Sequence, residues 1–413
     1  MEFDDMANFL KQFPNIGELL SSPVPAGLTY EINGHIHTPY SFSAFSDVET
    51  IFRMAVKENV KIVGINDFYT TSGYAEFHKN AVKSKTFPMF NIEFIALDRE
   101  LQKKGIRVND LNNPGRTYFS GKGLDFPERL DSVHAKIVDT VKTESLRQVE
   151  TMVDKTNSVL ADIHSDLRLD YQDIRKNFAR DLVRERHIAK ALRISIFQKF
   201  PTIAERIAFL STLYDGKEPE ANMESDSAVE IEIRNNLLKA GGKAFVEEDE
   251  KAFLSVDAVI DIISNAGGIP CYPVLLDDPK GTITDYEVDK EALLAELSRK
   301  KIFCIELIPG RNDAGILKDF VQFFHSKGFI ILFGTEHNTP DMIPLTVSCR
   351  QGVRLTDELK KISFDGASVI AAHQYLRAIG SESQVRQWNE LSSDEKNSVL
   401  TLGKAVVYHF INN

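Results

Sequence analysis

Two histidines two residues apart, His35 and His37, stand at the end of an apolar run in Ile32-Asn-Gly-His-Ile-His-Thr-Pro-Tyr-Ser-Phe-Ser43. In an extended strand, residues i and i+2 point to the same side, so both imidazoles face one place. A satisfied core pair and a pair of metal ligands are the two readings of that spacing. The metal reading gains weight because polar residues recur around other apolar runs: Asp67, Glu93, Asn109, Tyr272, Glu306 and the pair Glu336-His337. An unpaired buried polar group costs roughly 1–3 kcal/mol, so a chain built only for burial has no reason to repeat this arrangement. Two imidazoles with two carboxylates suit a divalent Zn, Mn or Fe ion that keeps a position open for water. Such an ion lowers the pKa of its water toward ~7, which makes a hydroxide nucleophile available at neutral pH. Arg311, in Ile308-Pro-Gly-Arg-Asn-Asp313, is placed to hold an anionic group; the alternative is an ordinary loop arginine.

These residues need elements to carry them. Seven short apolar runs read as buried strands: Tyr30–Ile36, Val60–Asn66, Met89–Ile95, Gly105–Leu111, Gly268–Val274, Ile302–Ile308 and Phe329–Gly334. Most are followed by a helical pattern. After the first, Asp47 suits an N-cap and Val48, Ile51, Met54 and Ala55 share one face. Alternation of strand and helix predicts a parallel sheet covered by helices, open or closed into a barrel. In a β/α barrel the C-terminal strand ends converge on one mouth, where the polar residues would meet. Between the fourth and fifth runs, about Asp125 to Asp249, the pattern is helical, with Val133, Ile137, Val141, Leu146 and Val149 at helical spacing. Leu355–Asn413 is also helical in pattern, broken at Gly380-Ser-Glu-Ser.

The ordered motifs resemble those of the polymerase and histidinol phosphatase (PHP) domain family, metal-dependent phosphoesterases on a distorted seven-stranded β/α barrel. His35-Ile-His-Thr-Pro-Tyr-Ser41 is similar to the family's opening H-x-H-T-x-x-S, and Asn66-Asp67-Phe68-Tyr69 stands at its T-D-H-D. Asn91-Ile-Glu93 matches G-x-E, and Arg184-Glu-Arg-His-Ile-Ala-Lys-Ala-Leu192 looks like G-R-P-H-I-A-x-A-L. Ala266-Gly-Gly-Ile-Pro-Cys-Tyr-Pro273 echoes A-G-G-x-x-x-A-H-P, and Gly334-Thr-Glu-His337 echoes G-S-D-x-H. The resemblance implies an α/β barrel in two parts, 27–124 and 251–350. Around it lie an N-terminal helical segment at 1–26, an inserted mostly helical domain at 125–250 and a helical C-terminal segment at 351–413. Phe42, Phe68, Asn109 and Tyr272 stand where relatives place further ligands, and these types ligate such metals poorly or not at all. What the resemblance leaves is one four-ligand site, His35, His37, Glu93 and Glu336, for at most one firmly bound ion. It gives Asp67 and His337 acid–base or orienting roles, and Arg186 and His187 contact with a phosphate.

Hydrophobic residues at 43% and charged residues at 26% are ordinary for a soluble protein, and 413 residues are ample for a core. The net charge of −11 argues against a general nucleic-acid binder, while leaving room for a local basic pocket. Three scattered cysteines suit a reducing cytoplasm. The acidic N-terminus is unlike a signal peptide, and no apolar run approaches the about 18 residues of a membrane span. The expectation is a metal-dependent hydrolase of a phosphate ester or other small anionic metabolite, a homo-oligomer being allowed. The alternatives are a PHP-fold binding or regulatory protein without catalysis, and other barrel chemistry such as isomerisation or C–N hydrolysis.

Overall fold

The computed structural model describes residues 8–163 and 166–413. The acidic start of the chain and His164 lie outside the described residues. Seven strands form one sheet in sequential order: β1 (Glu31–Ile36), β2 (Val60–Phe68), β3 (Phe87–Leu97), β4 (Arg116–Lys122), β5 (Ile269–Val274), β6 (Cys304–Leu307) and β7 (Ile330–Phe333). The run β1–β2–β3 is parallel, as is β5–β6–β7. A parallel bridge from Ile36 to Glu336 joins β1 to the residues after β7, so the sheet is a nearly closed barrel. Helices surround it and complete the α/β fold.

Local chemistry explains why the elements begin where they do. The Asp47 carboxylate accepts from Thr50 N at 2.7 Å and caps the helix Val48–Lys57, which buries Val48, Ile51, Phe52 and Ala55. At the C-terminal end, the helix Asp357–Ala378 packs on the barrel so closely that a Cβ on Gly366 would meet Ile331 O at 2.2 Å. The helix Ser393–Asn412 completes the terminal pair.

The fourth strand departs from the expected parallel sheet. Gly105–Leu111 is a loop, because Asp110 Oδ1 accepts from Asn112 N and Asn113 N and folds Asp110–Asn113 into a turn. The strand is Arg116–Lys122, antiparallel to both β3 and β5. Asn109 therefore ends no strand: its amide donates to Tyr118 O and Pro273 O and accepts from Tyr118 N, pinning the loop to the barrel. The β3–β4 connection carries only the five-residue helix Arg99–Lys103, which buries none of its residues and so does not serve as a covering crossover.

Between β4 and β5 come the helices Ser132–Ile163, Tyr171–Phe178, Glu185–Lys199, Ile203–Leu213 and Asp226–Ile233. They enclose a second buried cluster that runs from Val149 to Ala244, separate from the cluster of the barrel and terminal helices. Val133, placed by periodicity on the buried face, is 65% exposed because the first turns of its helix precede that cluster. Leu182 N donates to Tyr40 O at 2.8 Å and Arg180 N to Pro39 O at 3.3 Å, which ties this helical segment to the loop after β1. No helix among the described residues is long and apolar enough to cross a membrane.

Candidate functional site

The imidazoles of His35 and His37 are buried at the mouth of the barrel. Glu306 Oε2 lies 2.9 Å from His35 Nδ1 and can only accept, so the proton sits on Nδ1. On His37, Nδ1 faces Ser41 Oγ at 3.2 Å, and that hydroxyl donates onward to Asp67 Oδ1 at 2.7 Å. Nδ1 must then be the donor there too. Both Nε2 atoms are thereby turned toward each other, 3.3 Å apart. Two nitrogens held about 2.0–2.1 Å from one tetrahedral ion lie about 3.3 Å apart, so the spacing fits a shared cation.

Carboxylates complete the ring. Glu93 Oε2 is 3.1 Å from His37 Nε2 and 3.6 Å from His35 Nε2, yet this buried oxygen accepts no hydrogen bond among the described residues. Such an atom is costly unless a cation compensates it. His35, His37 and Glu336 offer ligand atoms within 4.8 Å of one another. The backbone puts Glu336 there: His37 N donates to Glu336 O at 2.8 Å, and Glu336 N donates to His35 O at 2.9 Å. Gly334 allows the approach, since a Cβ would stand 2.4 Å from His35 Cβ. Glu336 (φ 68°) and His337 (φ 53°) both occupy the left-handed region, which costs about 1–3 kcal/mol each for non-glycine residues. Glu336 also accepts from Arg311.

Charge is balanced behind this ring. Burial opposes a charge on His35, but Glu306 and Glu93 outweigh it and raise its pKa to about 9. Burial also opposes the Glu306 carboxylate, and Lys122 and His35 nevertheless hold it well below the usual range. Lys122 is fully buried, with Nζ 2.6 Å from Glu306 Oε2 and 3.0 Å from Asn66 Oδ1. The Asn66 amide nitrogen is 3.0 and 3.2 Å from the two nitrogens of His35, so it lies across the ring rather than beside one nitrogen.

Asp67 and His337 lie outside this ring. Asp67 accepts from Thr38 N, Thr38 Oγ1 and Ser41 Oγ at 2.5–2.7 Å, and burial raises its pKa against those bonds. Its reach to the ligands is through Ser41 to His37. His337 spends both nitrogens, one on Thr335 Oγ1 at 2.7 Å and one on Ile343 O at 2.9 Å, and its ring stacks on Phe45. Burial lowers its pKa, so the imidazole stays neutral.

A cavity of about 910 Å³ opens above the carboxylates, between the barrel mouth and the helical segment. Its walls include His35, Glu93, Glu306 and Glu336 on the barrel side and Arg184, Arg186, Arg234 and Lys239 on the other, with Arg311 alongside. The Arg186 guanidinium makes no hydrogen bond or ion pair among the described residues and lies 5.4 Å from the Phe42 ring centre. Burial and the neighbouring Arg234 pull its pKa down to about 10. Burial and Arg234 likewise lower Lys239. His187 is not among the lining residues. Its Nδ1 accepts from Arg184 N at 2.9 Å at the start of the helix Glu185–Lys199, and burial lowers its pKa to about 3. Phe68 stacks on His37 and has the Arg184 guanidinium over its ring, 5.4 Å from the ring centre, and Tyr272 donates to Glu287 Oε1 at 2.8 Å.

Lys122, Asn66, Arg184, Arg234 and Lys239 were not singled out by sequence reasoning. The signal for Lys122 was the alternation Ser120-Gly-Lys122, legible only once the strand is set at Arg116–Lys122. Arg234 opens a π-helical turn, Arg234–Leu238, that Lys239 follows, and neither carries a motif of its own.

No protein-family model and no curated protein matches the chain. Solved structures similar in fold include the following two. One is a protein from Bifidobacterium adolescentis assigned as a metal-dependent phosphoesterase, with TM-score 0.51 and 16% identity over 82% of this chain and 96% of that one. The other is an amidohydrolase from Chromobacterium violaceum with bound sulfate and no metal, with TM-score 0.50 and 14% identity over 81% of this chain and 96% of that one. At these identities the likeness shows the fold.

Proposed function

We propose that the chain is a metal-dependent hydrolase of the PHP class that acts on a phosphate ester or another small anionic metabolite, with one divalent ion at His35, His37, Glu93 and Glu336. The observation that carries this reading is the pair of Nε2 atoms facing each other at 3.3 Å, each ring held in that orientation by the partner of its Nδ1. Pinning a histidine ligand through Nδ1 is how metal sites fix ring orientation. The resemblance of the motifs and the shared fold of a metal-dependent phosphoesterase point the same way.

A Zn, Mn or Fe ion held there would activate water and polarise a phosphoryl or carbonyl oxygen. The chain's own residues supply the rest. Arg186, with no counter-ion of its own, and Arg311 bind and orient the anionic group beside the ligands. His187 anchors the turn that carries Arg184 and Arg186, which is how it serves a phosphate. Asp67 orients His37 through Ser41, and His337 braces the strained turn that presents Glu336; both act on the chemistry through the ligands.

The test is the metal content of protein purified without chelator, together with hydrolysis of a broad phosphoester panel. About one ion per chain, lost in His35→Ala along with turnover, is the expected result. No metal in the wild type, and no effect of His35→Ala, would sink the proposal. Metal without turnover, with stabilisation by metabolites, would instead favour a binding protein, a reading to which Phe42 and Phe68 at the cavity lend an apolar surface.

A further inference from the structure

The barrel interior holds a second group of oxygen donors that the proposed chemistry leaves unused. Glu306 on β6 and Asn66 on β2 direct Oε2 and Oδ1 at one spot, and Lys122 Nζ from β4 fills it, at 2.6 and 3.0 Å. The Lys122 side chain is 0% exposed and that of Glu306 1%. An ammonium so far from water requires a compensating charge, and Glu306 supplies it. The other carboxylate oxygen, Glu306 Oε1, is buried with no hydrogen-bond partner among the described residues, so the site has acceptor capacity to spare.

Carboxylate and amide oxygens around a buried positive charge are the ligands that a hard divalent ion prefers. Here the positive charge is tethered to the backbone instead. His35 links the two positions: its Nδ1 meets Glu306 Oε2 at 2.9 Å while its Nε2 faces His37. A cation beside Glu306 and a cation between the imidazoles are therefore neighbours across one ring.

Resting on the metal-site reading above, we infer that Lys122 is a built-in cation that fills a second cation position and limits the centre to one metal ion. Its ammonium neutralises Glu306 without removing the acceptor that holds His35 in its ligating tautomer. Lys122 is thus a positioning residue, acting on the metal through Glu306 and His35.

The experiment is equilibrium dialysis of the full chain against Mn²⁺, with bound manganese counted for wild type, Lys122→Met and Lys122→Met/Glu306→Gln. The expected ratios are one, two and one: removing the ammonium alone exposes a carboxylate that a free ion can take, and removing both charges abolishes the position. A folded Lys122→Met protein that still binds one ion would overturn the inference, as would two ions in the wild type. Should Lys122→Met be unfolded without metal, excess Mn²⁺ must restore its circular dichroism spectrum; failure to do so would show that no free ion can take the place of the ammonium. A wild type that binds no manganese would be a failure of the metal-site reading itself.

Discussion

His35 is held on three sides, by Glu306 at Nδ1, by Asn66 across the ring and by His37 facing Nε2. Its orientation therefore depends on residues that would never touch a metal. Glu306→Gln keeps the shape but weakens the acceptor and strips Lys122 of its counter-charge, so stability is expected to fall and metal affinity to drop about 10–100-fold, the usual cost of losing such a partner. Isothermal titration with Zn²⁺ or Mn²⁺ checks this; unchanged affinity would remove Glu306 from the design. Arg186 makes the opposite case, a cation in want of a partner. Arg186→Met is expected to weaken inorganic phosphate binding at least ~10-fold, the loss of one charge-assisted contact of about 1.5–3 kcal/mol. Phosphate titration by thermal shift would show it, and equal shifts in both proteins would exclude Arg186 from the anion site.

At the scale of elements, the decisive contact is between the end of β1 and the turn after β7. A methyl group at position 334 would collide with His35 at the backbone as well as the side chain. Gly334→Ala is expected to cost about 1–3 kcal/mol in urea melts and to weaken metal binding, because the turn must move away from β1. Glu336 pays for its place with a left-handed backbone. Glu336→Gly should therefore raise the stability of the metal-free protein by about 1 kcal/mol while lowering its metal affinity. A loss of stability instead would mean that the side chain serves the fold more than the site.

For the whole molecule, buried neutral histidines set the acid limit. His373 on the helix Asp357–Ala378 bonds Ser383 Oγ and Gly267 O, joining the C-terminal segment to the turn before β5, and burial lowers its pKa to about 4. An unfolded imidazole takes up its proton near pH 6.5, so between about 6.5 and 4 the unfolded state binds more protons and stability falls as pH falls. From pH 7 to pH 5 His373 alone should remove about 2 kcal/mol. Urea melts at the two pH values should show that much less loss in His373→Gln; parallel losses in the two proteins would refute the assignment.

The sequence by itself determined the strands that carry His35, Glu93 and Glu306 and those that His37 and Glu336 follow, because burial and strand period are local properties written in consecutive residues. The spacing of the two histidines and the order of the motifs were enough to identify the ligand candidates. What only the tertiary structure decided was which polar residues share the cavity and which stand behind it. Asp67 and His337 look like catalytic groups in the chain but spend their atoms on Thr38, Ser41, Thr335 and Ile343. The fourth strand is Arg116–Lys122 rather than Gly105–Leu111, because Asp110, near the end of that apolar run, closes a turn with Asn112 and Asn113. Lys122 lies 184 residues from Glu306, and no local pattern records that pairing. Contacts between residues so distant are set by the closure of the barrel, which brings β2, β4 and β6 around one interior.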